Sequence, residues 1–262
     1  MFNFPKIERE EDFRYKNNFL NTVVFQVKFN PVVQVVNNIP EIKELLSDFY
    51  PNNKNIVKVE GSFNLDQKTP LLQSAKSTTQ GVEFRTSSGD NVLSITEDAI
   101  TLTILGSAYK NFNDAISLFK SFFVEIAKII SIEYVNRVAI RKINIIQAST
   151  DETSDKNLLM QAIYNEALIN NLNYIPSSQY LDSAIVTSKY INKGFSLNLI
   201  YGLLPAQNKV YKERQFLLDI DLFNESHVEL DNVIYVFNEI NKEIFNIFNW
   251  SFQDEIKKML NQ

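Results

Sequence analysis

The stretch Asn21–Asn30, NTVVFQVKFN, alternates in character: Val23, Phe25, Val27 and Phe29 fall on one side, with Thr22, Gln26, Lys28 and Asn30 mostly on the other. That period of two predicts a strand with one buried face and one wet face. A second stretch, Asn136–Ile145, NRVAIRKINI, narrows the fold further. It places Val138 and Ile140 where Val23 and Phe25 stand, an offset of 115 residues (138 − 23 and 140 − 25).

The order of elements around the two stretches runs in parallel. After an extended, charged lead-in over 1–18, the first strand is followed by a helix over about 40–50, with Ile42, Leu45, Leu46 and Phe49 at helical spacing. Pro51 and the Asn run stop it. Strands are expected near 56–64, 82–86, 92–95 and 99–105, and SSGDN at 87–91 reads as a hairpin turn. Residues 65–80 show no period and are expected to form a long loop. A long helix over about 112–130 carries a wide apolar stripe, with Asn111 or Asn113 as its N-cap.

The second half opens with a strand over 134–146, a polar linker, and a helix over 158–171. Strands near 181–188, 195–203 and 210–223 follow, with turns at INKG and LPAQNK. A final helix spans about 231–260. The expected division is therefore a lead-in (1–18), a first α+β unit (19–131) and a second (132–262), forming one compact body. The fold class is α+β: two pseudo-repeated strand–helix–antiparallel meander–long helix units. They share a curved antiparallel sheet with helices on one face, an arrangement that resembles TATA-binding-protein-like and helix-grip architectures.

Composition excludes several function classes. The 262 residues include 20 Phe and 11 Tyr, enough for a sizeable core, but only six Gly, and no glycine-rich phosphate loop is present. A net charge of −5 argues against bulk attraction to phosphate backbones. With no cysteine there is no disulfide, thiol nucleophile or thiolate metal site. The opening residues lack a signal-peptide pattern, and the apolar run at 117–132 is interrupted by Lys120, Glu125 and Lys128. The expectation is a cytoplasmic chain without membrane attachment.

If helices cover one face of the sheet, alternation identifies what the other face carries. The residues are Gln26 and Lys28; Glu83 and Arg85; Thr101 and Thr103; Arg137 and Arg141; Ser196 and Asn198; and Asp219 and Asp221. One reading pairs Arg137 and Arg141 with Asp219 and Asp221 across strands on a solvated face. The other makes Gln26, Lys28, Glu83, Arg85, Arg137, Arg141, Asn198, Asp219 and Asp221 a surface for a protein partner or a small polar ligand. Asp219 and Asp221 could hold Mg²⁺ through oxygen, but alone they are a weak motif, and acid–base work would need a pocket that raises one pKa. His227, the single histidine, reads as a surface loop residue. The strand aromatics Phe25, Phe29, Phe84 and Phe195 fall on the core side, where they cannot stack on bases, which disfavours nucleic acid. No catalytic residue, metal ligand or cofactor is assigned.

Three segments resemble a sporadically distributed family of uncharacterised bacterial proteins of similar length. They are NNFLNTVVFQVKF, with its Phe25–Gln26 pair; IEYVNRVAIRKIN, with Tyr134, Asn136, Arg137 and Val138; and NWSFQDEIKKML, with Phe252 and Ile256. Asn21–Thr22 depart from the acidic residue that the family tends to place there. The patchy distribution implies a component of mobile accessory systems, such as phage defence or toxin–antitoxin neighbourhoods. The leading expectation is a non-enzymatic interaction protein with a protein partner, and a homodimer through a sheet edge or the last helix also fits. The alternatives are an enzyme or ligand-binding module in the sheet groove and, third, a nucleic-acid-binding protein. Arg137→Glu or Arg141→Glu is expected to abolish partner capture while sparing the fold.

Overall fold

Strand β1 (Leu20–Lys28) buries Val23, Phe25 and Val27 completely and leaves Thr22, Val24, Gln26 and Lys28 partly exposed. The structure, a computed structural model, describes residues 1–6, 15–64, 71–149, 155–170, 178–206 and 213–261. The first half continues with α1 (Gln34–Asn37), α2 (Ile39–Leu46), β2 (Asn52–Asn64), β3 (Leu71–Arg85), β4 (Asn91–Thr96), β5 (Ala99–Leu105) and α3 (Phe112–Ile129). The short β6 (Tyr134–Val135) leads into β7 (Arg137–Ser149), α4 (Lys156–Ile163), α5 (Glu166–Ile169), β8 (Ala184–Asn192), β9 (Phe195–Leu203) and β10 (Glu213–Asn224). The chain then forms β11 (Val228–Glu229), α6 (Val233–Ser251) and α7 (Asp254–Met259).

Nine of these strands form one antiparallel sheet in the order β2-β3-β4-β5-β1-β7-β10-β9-β8, and β6 pairs with β11 apart from it. The leading strands of the two halves lie side by side at its centre, with Phe25 opposite Ile140. The described helices pack on the Phe25 side. The Phe25 ring meets Phe112 and Phe119 of α3 and Phe237 of α6 at 5.8–6.4 Å between centroids. Burying rings from both long helices against one central strand joins the halves through a shared apolar layer. Asn111 caps α3 by accepting from the Asp114 N–H at 2.9 Å, one of the two caps expected.

The structure differs from the sequence reading in several places. The strand expected over 134–146 is divided at Asn136 into β6 and β7, which lie in different sheets. Residues 71–80, expected within a loop, belong to β3; residues 65–70 lie outside the described part. Before Gly81, β3 pairs only with β2, and the ladder shifts register at Ile56/Val57 and Ser62/Phe63. A ladder interrupted in this way has no continuous alternation to read. The expected 158–171 and 231–260 helices are also both broken, at Tyr164 and Phe252. These two residues form a backbone bridge, supported by Asn165 N–H to Ser251 O at 2.8 Å and Gln253 N–H to Ile163 O at 3.0 Å. Their rings stack at 5.9 Å. The helical period survives the second break because Ile247 and Ile256 bury in the same core on either side of it. Finally, the strand expected over 181–188 sits at Ala184–Asn192, and the INKG turn is tight, with Lys193 and Gly194 both at positive φ (46° and 82°).

Candidate functional site: the uncovered face of the sheet

Cross-strand partners share a face, so the ladder registers show which side chains meet. One row runs Thr103–Val24–Arg141–Asp221–Asn198–Lys189, and the next runs Thr101–Gln26–Ala139–Phe223–Ser196–Ile191. The described helices leave this face uncovered. All nine residues anticipated for it lie on it, but they form two separate groups.

The larger group is on β7, β9 and β10. Arg141 donates to both oxygens of Asp219, from Nε at 2.9 and 3.2 Å and from Nη2 at 2.6 Å. Such bidentate, charge-assisted pairs are the strongest of the ordinary hydrogen bonds. The Asp219 side chain is 4% exposed and that of Arg141 is 45% exposed, so the guanidinium caps a buried carboxylate. The hydrogen bond to Asp219, reinforced by the charges of Asp219 and Asp221, holds the Arg141 pKa above its ordinary value.

Arg137 is held differently. Its guanidinium carbon stands 3.6 Å from the centre of the Phe223 ring, close enough for a cation–π contact. Its ion pairs to Asp221 (3.7 Å) and Glu225 (3.6 Å) are longer than hydrogen bonds, and its buried Nε has no partner. Ala139 between the two arginines is small, which leaves room for Phe223 and the stacked Arg137. Asp221 accepts from Asn198 Nδ2 at 3.1 Å. Burial raises the Asp221 pKa; Asn198, Arg137 and Arg141 oppose the shift without cancelling it, while Asp219 adds to it.

The smaller group is on the first half. Gln26 Nε2 donates to Thr101 Oγ1 at 3.1 Å, and Glu83 pairs with Arg85 (2.8 Å) and Lys54 (3.1 Å). Burial acts to raise the Glu83 pKa, but hydrogen bonds from Arg85 and Lys54 and their charges outweigh it and leave it lowered. Lys28 lies beside Arg137 across the β1–β7 seam.

The sequence reading missed Phe223, Glu225 and a band of partly exposed aliphatics, Ile143, Ile145, Ile200 and Leu217, which share the face with Asp219. The parity of Phe223 with Asp219 and Asp221 was the available signal. Ile185 opposite Gly202 extends the band at 44% exposure. Among the described residues, no group of three or more His, Asp or Glu is placed to hold a metal ion, and no helix is long and apolar enough to cross a membrane. His227 is exposed, stacks on Tyr134 at 4.2 Å between centroids and contacts Glu229 Oε1 at 2.8 Å. No protein-family model matches the chain, and no curated protein matches it.

Proposed function

We propose that the chain is a non-enzymatic binding protein that takes up a protein partner across the uncovered face of its sheet. The observation that carries this reading is the pairing of the charges there. Arg141 occupies both oxygens of Asp219, and Asp221 is shared among Asn198, Arg137 and the field of Arg141. Carboxylates used in this way are poor candidates for binding metal or moving protons. A balanced set of charges next to partly exposed Ile143, Ile145, Ile200 and Leu217 matches the mixed surface of another protein better than it matches a phosphate backbone.

The same reading takes the two halves as a duplicated unit on a curved, TATA-binding-protein-like or helix-grip-like sheet. Supporting it, the residues matched by the 115-residue offset, Phe25 and Ile140, face each other across the central seam. A two-fold axis relating two copies would pass there. On the same reading the protein works in the cytoplasm, and the resemblance carried by its opening, central and C-terminal segments implies an accessory component of a bacterial phage-defence or toxin–antitoxin system.

The geometry changes which variants test the proposal. Reversing Arg141 would expose buried Asp219 to a like charge and so report on the fold rather than on binding. Ile200→Lys and Lys28→Glu alter the face without breaking its pairs. In affinity capture from the source cells, the expected result is a partner held by the wild type and by a Lys120→Glu control on α3, and released by both face variants. A partner retained equally by all four forms would overturn the reading.

A further inference from the structure

The two edges of the sheet are built differently. The β2 edge carries Lys54 and Lys58 and two register shifts, devices that keep an edge from pairing with another chain. The β8 edge, AIVTSKYIN, has a single charge, no proline and no register shift along its ladder. Ile185, Tyr190 and Ile191 on it are 44%, 38% and 72% exposed. Among the described residues no strand covers its outer side. Residues 1–4 pack beside it on the helix side, with the Phe2 and Phe4 rings 6.4 and 6.3 Å from Tyr190 and Met1 O accepting from Asn192 Nδ2. Such an edge offers a template for strand addition.

We propose that β8 pairs antiparallel with β8 of a second copy of this chain, joining the two sheets edge to edge. The argument for a second copy is the self-complementarity of the strand about Ser188. Antiparallel pairing centred there brings all nine residues into register: Ala184 faces Asn192, Ile185 faces Ile191, Val186 faces Tyr190, and Thr187 faces Lys189. The two most exposed aliphatics therefore meet on the uncovered face. Val186 meets Tyr190 on the helix side. The lone charge, Lys189, meets a threonine and never its own copy, which avoids the like-charge pairing that destabilises a ladder.

Backbone parity agrees with this centre. Gly194 O accepts from Glu225 N–H at 2.8 Å, and Leu204 N–H donates to Gln215 O at 2.9 Å. Even-numbered positions flanking and along β9 thus bond towards β10, and its odd positions bond towards β8. The tight Lys193–Gly194 turn closes the β8–β9 ladder with Asn192 opposite Phe195, so the even residues of β8 bond inward. The N–H and C=O groups of Ile185, Thr187, Lys189 and Ile191 are left pointing outward. Pairing about Ser188 joins these groups to their counterparts in about eight main-chain hydrogen bonds, with Ser188 facing itself at a non-hydrogen-bonded position. The two-fold axis stands perpendicular to the sheet, so the helices of both copies lie on the same side and the uncovered faces become continuous.

Sedimentation over a range of concentrations tests the interface. The wild type is expected as a dimer. Thr187→Pro removes an outward N–H while leaving the β9 ladder intact, and should halve the mass without loss of circular dichroism signal. Ile191→Lys should act in the same direction with no change to the backbone. Because the chain has no cysteine, single cysteines report the register cleanly. At a non-hydrogen-bonded pair the Cα atoms stand about 4.5 Å apart, within disulfide range. Ser188→Cys should therefore cross-link to itself on mild oxidation, and Thr187→Cys should not. A monomeric wild type, a dimer unmoved by both Thr187→Pro and Ile191→Lys, or cross-linking at position 187 in place of 188 would each overturn the proposal. So would a monomer that takes up an extended peptide of another protein along β8.

Discussion

On the uncovered face, the half built from β1 to β5 presents an amide bonded to a hydroxyl, Gln26 to Thr101, and an outlying Glu83 between two cations. The half built from β7 to β10 presents two guanidiniums over two carboxylates. On the helix side β1 and the start of β7 are alike, with Val23, Phe25 and Val27 in one and Val138 and Ile140 in the other fully buried, although β7 goes on to place Lys142 and Asn144 there. The contrast separates the two jobs of the sheet. Packing holds one side of the central strands mostly to apolar residues, while the other side differs between the halves, and the paired guanidiniums and carboxylates belong to the second.

The severest test of the shared packing is Phe25, which is fully buried among rings of α3 and α6. Phe25→Ala should cost about 3–5 kcal/mol. Urea unfolding should show one transition at a lower midpoint, since the residue serves both halves. Two separated transitions would show that the halves are not joined by that layer.

Next in size is the difference between the two arginines. Arg141→Ala leaves the Asp219 carboxylate buried without its donor, for which about 1–3 kcal/mol is expected. Arg137→Ala loses a stacking contact and two long ion pairs, about 1 kcal/mol or less. Replacing Arg141 and Asp219 together by leucine should recover most of the first loss, because no charge is then stranded. Equal losses for the two single variants would erase the distinction drawn from their hydrogen bonds.

A smaller pair of effects compares two tyrosines, one near the end of the helical segment that follows each leading strand. Tyr164 donates to Leu217 O at 2.7 Å and accepts from Gly202 N–H at 3.2 Å. Tyr50 is equally buried, but its hydroxyl has no partner, and burial pushes its pKa up to about 12. Tyr164→Phe should therefore lose about 1–1.5 kcal/mol in chemical denaturation, and Tyr50→Phe should be neutral or slightly stabilising.

How far these features could be read from the sequence depends on period. Where a strand is buried on one side only, as in β1 and β7, two-residue alternation assigns the face residue by residue, and all nine anticipated residues lie on the uncovered side. Where a ladder is interrupted, as in β2–β3, alternation fails and a strand reads as a loop. The helix breaks at Tyr164 and Phe252 are invisible for a different reason: each is stabilised by the other, some 88 residues away (252 − 164). Pairing on the face was legible only as a choice between readings. Spacing brings Arg141 near both Asp219 and Asp221, but which of the two its guanidinium takes is decided by its rotamer, which alternation does not encode.

The smallest effects distinguish the halves by sign. Glu83 in the first half has a lowered pKa, so its ionised form stabilises the fold above the ordinary carboxylate range, and that contribution is lost as pH falls through the lowered value. Asp221 in the second half has a raised pKa. Its favourable contribution is complete in acid and is lost as pH rises through the raised value, which makes its charge a mild liability at neutrality. Glu83→Gln should therefore destabilise at pH 7, and Asp221→Asn should stabilise, each by less than about 1 kcal/mol. Both differences should vanish once acid protonates the wild-type carboxyls, Asp221 converging on its variant at a higher pH than Glu83. Thermal melts of the three proteins from pH 7 down through the carboxylate range would show it. Shifts of the same sign for both variants would mean that Arg137, Arg141 and Asn198 outweigh the burial of Asp221, and that the two halves treat their acids alike.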